Sequence, residues 1–481
     1  MIQLFSNSQM RKADEYTINS IGIPSETLMH RAGTAIADEA QRVLEEKGLK
    51  TVLVVCGTGN NGGDGYVCAA ELLSRGISCS VYQIEGRFSQ DLEREWTRYK
   101  GPFAREIKGD IIIDCIFGTG LSRPVAGVFQ EAIDAINASG AYIISADIPS
   151  GISGDSGLAM RCAVRADMTV TIQEYKTGLF LADGPDFCGR IIRKVIGIQS
   201  GIIQDTVSMY EPQDIKAFFP QRKHNSHKGT YGTACLVVGS DKYLGAAALA
   251  TAGALRSGCG YTKVATSKAV REAIVGRLPQ AIYLDDIDLL SKCILVGCGC
   301  GVSKDLYAII CNLLATYKGT LVIDADGLNS LAMFGTEPLK KAVCQVVVTP
   351  HVKEFARLFG MDDTFAADFN PVRQARSFAD AYGCTVLLKS SSSVITDGMR
   401  TAVNATGNSA LSKGGSGDML AGFIAGSIAR GLSAYDACVA GSYIMGRAAE
   451  IASERWTEYC VTARDVERAI PRAIQGLDVS D

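Results

Sequence analysis

Hydrophobic positions along the chain gather into short continuous runs, each breaking into a turn rich in Gly, Asp, Asn or Ser. Thr51–Cys56 runs into Gly57-Thr58-Gly59-Asn60-Asn61-Gly62-Gly63-Asp64-Gly65. Ile111–Cys115, with Asp114 inside it, leads to Phe117-Gly118-Thr119-Gly120-Leu121-Ser122-Arg123-Pro124, and Tyr142–Ala146 leads to Asp147-Ile148-Pro149-Ser150-Gly151. Apolar runs of this length read as strands buried on both faces of a parallel sheet. The design recurs downstream. Ala234–Gly239 opens a second series. Cys293–Val296 ends in Gly297-Cys298-Gly299-Cys300-Gly301, Thr320–Ile323 in Asp324-Ala325-Asp326, Val346–Val348 in Thr349-Pro350-His351, and Thr385–Leu388 in Lys389. Helical patterns fill the intervals. One spans Ser8–Ile21, capped by Ser6 or Ser8 and closed by Gly22. A second opens at Pro24-Ser25-Glu26, and others cover Tyr66–Leu72, Gly245–Leu255 and Met419–Ala425. Neither of the first two helices carries obvious chemistry. Strand, polar turn and helix in alternation predict an α/β protein with two αβα domains. The motif-poor stretch 200–220, marked by Glu211-Pro212 and followed by the basic, polar run Gln221–Lys228, separates them. The expected domains are 1–212 and 218–481.

Apolar residues make up 47% of the 481 positions, enough for two large cores, and the net charge of −3 gives no global attraction to nucleic acid or to a membrane. The 16 Cys are scattered, often inside apolar runs, with no C-x-x-C, and Cys298/Cys300 is a poor zinc half-site. Buried free thiols in a reducing cytoplasm are the expectation. No signal peptide is recognisable at the N-terminus. No uncharged apolar run reaches the ~18 residues of a membrane span.

In an open α/β sheet, ligands bind at the carboxyl ends of the strands. The first three strands bring Asn60, Asn61, Asp64, Asp114, Asp147 and Ser150 to one edge of one sheet. Each alone reads as a turn or capping residue; together they form a set of hard oxygen donors of the kind cations and sugar hydroxyls take. Gly57, Gly59 and Gly62 also satisfy G-x-G-x-x-G, with Glu85 about 20 residues on, as a dinucleotide fingerprint requires. Two amides and a carboxylate are, however, unusually polar for a turn pressed against a pyrophosphate.

In the second series, Gly414, Gly415 and Gly417 form a loop that delivers an anion to a helix N-terminus, where free N–H groups and the dipole favour negative charge. Asp418 follows directly. A carboxylate beside phosphate oxygens calls for a reason, and the obvious one is proton transfer with a substrate hydroxyl. The alternative is that Asp418 only caps the helix.

The segments N-N-G-G-D-G, D-x-x-x-G-T-G-L-S-R-P and D-I-P-S-G resemble the NAD(P)H-hydrate epimerase domain over residues 8–200. The resemblance implies a hydrated-nucleotide site at Asn60, Asn61, Gly62, Gly63, Asp64, Gly118, Thr119, Gly120, Leu121, Ser122, Arg123 and Pro124, with Asp147 as acid/base. It also implies a potassium ion held by Asn61, Asp114 and Ser150. The later turns, with Lys228-Gly229, Gly245-Ala246 and G-S-G-D-M-L, resemble the ribokinase-like ADP-dependent NAD(P)H-hydrate dehydratases. This second resemblance implies hydrate contacts from Ala246, Gly299, Gly301, His351 and Asp418, and adenine-nucleotide contacts from Lys389, Ser390, Ser391, Ser392, Ser393 and Gly417. Asp418 would be the catalytic residue, with ADP as co-substrate and Mg2+ accompanying it. Ser390 stands where the family's K-G-x-x-T turn has glycine, and G-C-G-C-G stands where the family usually has G-P-G-L-G.

Together the two imply a homo-oligomeric metabolite-repair enzyme with no nucleic-acid or membrane partner. It would interconvert the R and S 6-hydroxy adducts of NADH or NADPH, then use ADP to dehydrate the S form, giving NAD(P)H, AMP and phosphate. A rival reading is a ribokinase-like kinase for a vitamin precursor with an N-terminal dinucleotide-binding sensor, because the glycine-rich loop and Asp418 serve simple phosphoryl transfer equally well.

Overall fold

The computed structural model describes residues 1–360 and 369–478. The chain divides into two compact units, Gln3–Val207 and Ser208–Asp481 together with Met1–Ile2. The division lies a few residues before the expected 212–218 join. Ser208 and Met209 pair with Ala402 and Val403 in the second unit's sheet, and Ile215, on the short helix Pro212–Lys216, is fully buried in that unit's core.

In the first unit, helix α1 (Asn7–Tyr16) starts at a capping box between Ser6 and Gln9, as the Ser6 signal predicts. A π-helical turn over Thr17–Ile21 carries it to Gly22, which ends it in the left-handed conformation at φ 83°. Helix α2 (Ser25–Lys47) follows. The sheet is built from β1 (Thr51–Cys56), β2 (Ser78–Gln83), β3 (Ile111–Cys115), β4 (Tyr142–Ala146), β5 (Met168–Ile172) and β6 (Arg190–Lys194). All are parallel, in the order β2-β1-β3-β4-β5-β6. The β1 and β3 runs have almost every side chain buried, which is why they read as continuous apolar segments. Helix α3 (Asn60–Ser74) begins earlier than its apolar pattern indicated, so the polar segment Asn60–Gly65 is its first turn rather than a loop. The reason is packing: a Cβ at Gly62 would sit 2.5 Å from the Gly57 carbonyl oxygen, and one at Gly63 would sit 2.6 Å from the Met29 methyl. These glycines let the helix start press against its own strand turn and against α2.

In the second unit, β7 (Thr233–Val237) leads into helix α4 (Leu244–Arg256). Then come β8 (Tyr261–Ala265), β9 (Ile282–Leu284), β10 (Cys293–Val296), β11 (Thr320–Ile323), β12 (Gln345–Val348), β13 (Thr385–Leu388), β14 (Ser393–Thr396) and β15 (Thr401–Asn404). The order runs β9-β8-β7-β10-β11-β12-β13-β14-β15, parallel as far as β13 and antiparallel beyond it. Helix α5 (Val352–Phe359) follows β12, and α6 (Ser416–Ala429) is buried along nearly its whole length between the sheet and α4. A Cβ at Gly422 would lie 1.9 Å from the Ala250 carbonyl oxygen, so α4 and α6 meet backbone to backbone. That contact fixes the α6 N-terminus at the carboxyl edge of the sheet. Among the described residues no helix is long and apolar enough to cross a membrane.

Candidate active sites

A cavity of about 540 Å3 opens at the carboxyl ends of β1, β3 and β4 in the first unit. Of the residues expected there, Asn60, Asn61, Asp64, Gly118, Thr119, Gly120, Leu121 and Asp147 line it. Gly62 and Gly63 do not; they are committed to the helix packing described above. Ser122, Arg123 and Pro124 continue the same turn but are exposed and outside the lining.

Asp147 sits at the end of β4 in the left-handed region, φ 69°, an uncommon conformation for a non-glycine residue. Its amide donates to Val170 O at 2.8 Å, and its carboxylate accepts from Ile172 N at 3.2 Å and from the Lys176 ammonium. Lys176 is 1% exposed and also donates to Ile172 O and Thr171 Oγ1. It lines the cavity, and no motif marked it. Asp14, on α1, is a second lining residue that the sequence reading passed over. Burial, reinforced by the Asp147 charge, pushes its carboxyl up to about 6, and the same causes push Asp64 well above the carboxylate range. Three carboxyl groups thus converge around one ammonium. Asp147 takes that ammonium, while Asp14 and Asp64 are biased toward the protonated form. Groups with environments this different can divide acid and base roles. Gln173, just after β5, accepts three amide hydrogens, from Ile196, Gly197 and Ile198, and so positions two of the apolar lining residues.

Asp114 and Ser150, proposed ligands of a cation, do meet. The fully buried Asp114 carboxylate accepts from Ser150 Oγ at 2.5 Å, Ser150 N at 2.9 Å, Ser145 Oγ at 2.8 Å and Ile116 N at 3.2 Å. Burial pushes its pKa up and these donors push it down, with no basic side chain among the causes. Ser150 Oγ also accepts from Phe117 N at 2.8 Å. Asn61 reaches the same strand ends, its Nδ2 standing 3.5 Å from Ala146 O. A buried carboxylate ringed by hydroxyl and amide groups, without a cationic partner, is a donor set that suits a weakly hydrated monovalent cation.

The second unit's site is centred on Asp324, which is 1% exposed at the end of β11. Its Oδ1 accepts from Lys389 Nζ and from Thr349 Oγ1, both at 2.8 Å, and its Oδ2 faces Cys298 Sγ at 3.6 Å. Burial pulls the Lys389 pKa down, but Asp324 and Glu354 more than offset that, so the ammonium stays charged. Cys298, Asp324 and Asp418 bring their ligand atoms within 4.8 Å of one another.

The cap of α6 is Gly415, at φ 95° and with no side-chain cap bond; Asp418 lies in the first turn beyond it. The capping explanation for Asp418 is therefore excluded. Burial, then the Asp324 charge, pushes its carboxyl up to about 6, near the pH at which a proton acceptor works best. Lys389, Ser390, Ser391, Ser393 and Gly417 line one cavity of about 200 Å3. Ser392 is buried outside it, its carbonyl accepting from Ser390 Oγ at 2.6 Å. That bond shapes the turn in which serine replaces glycine. Asn404, Thr406, Ser442 and Met445 also belong to the lining and carry no sequence signal.

Gly299, at φ 66°, packs against Ala246: a Cβ there would lie 2.6 Å from the Ala246 methyl. Gly301 has open space where a Cβ would be, and its amide donates to Asp326 Oδ2 at 2.8 Å. His351 forms a capping box for α5, its Nδ1 accepting from the amides of Lys353 and Glu354. Burial and the nearby Lys389 lower its pKa, and its side chain stays about half exposed, with Nε2 3.4 Å from Glu354 Oε1.

Two family profiles match the chain, one in each unit. A family profile described as the YjeF-related protein N-terminus matches residues 25–178, and one described as NAD(P)H-hydrate dehydratase matches 234–472. The bifunctional NAD(P)H-hydrate repair enzyme Nnr of Thermofilum pendens is 32% identical over 98% of this chain and 96% of its own length. The Archaeoglobus fulgidus enzyme of the same name is 33% identical, with 94% and 95% covered. Among solved structures, the ADP/ATP-dependent NAD(P)H-hydrate dehydratase of Bacillus subtilis, co-crystallised with ATP and Mg2+, is 29% identical over 56% of this chain and 99% of its own, with a TM-score of 0.51.

Proposed function

Because this chain belongs to the bifunctional NAD(P)H-hydrate repair enzymes, we propose that its two units divide the repair of hydrated NADH and NADPH between the two sites described above. The first unit interconverts the R and S 6-hydroxy adducts. Asp147, oriented by Lys176, moves the proton as the bond between C6 and oxygen opens and closes, and Asp64, whose carboxyl is held well above the usual carboxylate range, stabilises the departing oxygen. Asn60 and the Gly118–Leu121 turn bind the nucleotide. A potassium ion held by Asn61, Asp114 and Ser150 would neutralise the buried carboxylate and brace the ends of β3 and β4.

The second unit dehydrates the S form. Hydroxide is a poor leaving group and phosphate a good one, so the substrate hydroxyl is phosphorylated first. Asp418 accepts the hydroxyl proton as that oxygen attacks the terminal phosphorus of ADP, and AMP leaves. Phosphate then departs from C6 and a proton from C5, restoring the ring double bond. The free amides at the α6 N-terminus and the Lys389 ammonium, held in place by Asp324, receive the phosphate charge. Asp324 and Asp418 supply the hard oxygen donors that Mg2+ accompanying the nucleotide requires, and such an ion would shield the phosphate oxygens from Asp418.

The observation that carries this reading is Asp418 itself: a carboxylate at an anion-binding helix N-terminus, not used as a cap and with its pKa raised toward neutrality. The test is product analysis with S hydrate and ADP. AMP, phosphate and the reduced dinucleotide should appear in equal amounts. A stable phosphorylated hydrate that accumulates instead would make the second unit a simple kinase.

A further inference from the structure

The basic segment Gln221–Lys228 has no part in either site, yet it borders a pocket of its own. This pocket, of about 510 Å3, lies wholly within the second unit and shares no lining residue with the nucleotide cavity. Phe219, Arg222, Lys223, Ser226, Tyr231 and Arg430 define its chemistry, and none of its lining residues is acidic.

Arg430 closes α6, and its Nη1 donates to Phe218 O at 2.8 Å. Its Nε and Nη2 are buried and have no hydrogen-bond partner. The guanidinium lies 4.7 Å from the Phe219 ring. Arg222 stacks on Tyr231 at 4.0 Å and donates to Gly258 O. Burial, and then the charge of Arg222, push the Arg430 pKa down to about 10, and no carboxylate counters them. The negative end of α6 offsets part of that charge, but it does not satisfy the two unpartnered nitrogens. A buried cation with free donors beside a like charge is an unfavourable arrangement unless an anion completes it. Arg256, at the pocket rim, differs in already being paired with Glu467.

We propose that this pocket is an anion site for a phosphate monoester or polyphosphate, gripped by the guanidinium groups of Arg430 and Arg222. Paired N–H donors on planar guanidinium groups match phosphate oxygens two at a time. Lys223 and the hydroxyl of Thr230 border the same pocket and can meet the remaining oxygens. The volume exceeds that of one phosphate, and the Phe219 and Tyr231 rings offer an apolar surface to an organic remainder. The site differs from the catalytic nucleotide pocket, where a helix N-terminus rather than arginine side chains meets the anion.

The test is calorimetric titration of the full chain with pyrophosphate, comparing the parent with Arg430→Gln and Arg222→Gln. The parent should bind one more equivalent per chain than Arg430→Gln. Arg222→Gln, a change at an exposed position that leaves the core intact, should weaken that same equivalent by at least about tenfold. Dehydration of the S hydrate without pyrophosphate should stay at the parental rate in both variants, which also reports that they are folded. The proposal is overturned if the parent and Arg222→Gln bind the same number of equivalents with the same affinity. That result would mean the two arginines are neutralised in another way, for example by a carboxylate from a second chain.

Discussion

Replacing Asp418 by Asn separates what the carboxylate does for chemistry from what it costs the fold. In the folded protein its pKa is about 6 against an ordinary 3.8, a difference of roughly 2 units, or ~3 kcal/mol. The sign follows from linkage. A group that holds its proton more tightly when folded destabilises the fold once the pH exceeds both values, and costs nothing below the lower one. The penalty therefore appears between about pH 4 and pH 6 and is complete above that window. Asn never ionises and keeps the size, and Gly415 remains the cap. Loss of the charge–dipole interaction in the first turn takes back up to about 1 kcal/mol. The net gain at pH 8 should be about 2 kcal/mol, seen as a rise of roughly 4–8 °C in the melting temperature of the second unit. The gain should shrink steadily as pH falls toward 4.5. ADP binding should persist or tighten, because a negative charge near the phosphates is gone, while S-hydrate dehydration falls by ~10²-fold or more. Calorimetric melts at pH 8 and 4.5, with ADP titrations and dehydration rates on the same samples, give all three numbers. Parental dehydration by a stabilised Asp418→Asn would refute proton transfer through this residue, and an unchanged melt at pH 8 would refute the electrostatic cost assigned to it.

The first unit makes a parallel case: Asp14→Asn should raise its melting temperature at pH 8 and do so much less near pH 4.5, since Asp14 also titrates near 6 when folded; equal shifts at both pH values would contradict that. Epimerisation should fall when potassium is exchanged for a bulky organic cation, and Asp114→Ala should abolish that response; activity indifferent to the cation would rule out the proposed ion. A fragment beginning at Ser208 should melt higher than one beginning at Phe218. The longer one keeps Ser208 and Met209 on the sheet edge and buries Ile215, a side chain contributing ~1.5–3 kcal/mol. Identical melts would mean that the edge segment adds nothing.

What could be read without coordinates follows from what each residue's role depends on. The strands are legible because burial on both faces leaves uninterrupted apolar runs, and Asp147 and Lys389 are legible because they end such runs; Asp324 ends one too, but in one dimension it reads only as part of a turn, and its central place comes from Lys389 and Thr349 meeting it in space. Lys176 and Gln173 are not legible: both lie in a short connection after β5, and their importance comes from the backbone folding back to bring them to Asp147 and to residues 196–198. Asp14 sits on a helix whose pattern reads as an ordinary solvent-facing surface. The glycines of N-N-G-G-D-G were ambiguous in principle, since a glycine that admits a ligand and one that admits a neighbouring helix look the same in one dimension. Here Gly62 and Gly63 admit Gly57 and Met29. The domain junction was displaced because a three-residue strand, Val207–Met209, is too short to show a period.

The central claim is that two sites on one chain act in sequence on two epimers, and it is tested most directly with a mixture of R and S hydrates plus ADP, following the return of reduced-nicotinamide absorbance. The parent should convert the whole mixture. Asp147→Asn should stop at the S fraction after the parental initial rate, because loss of a positioned acid/base slows R-to-S conversion by ~10²–10⁴-fold and leaves the other unit untouched. If Asp147→Asn cleared both epimers as fast as the parent, the division of labour proposed for the two units would be wrong.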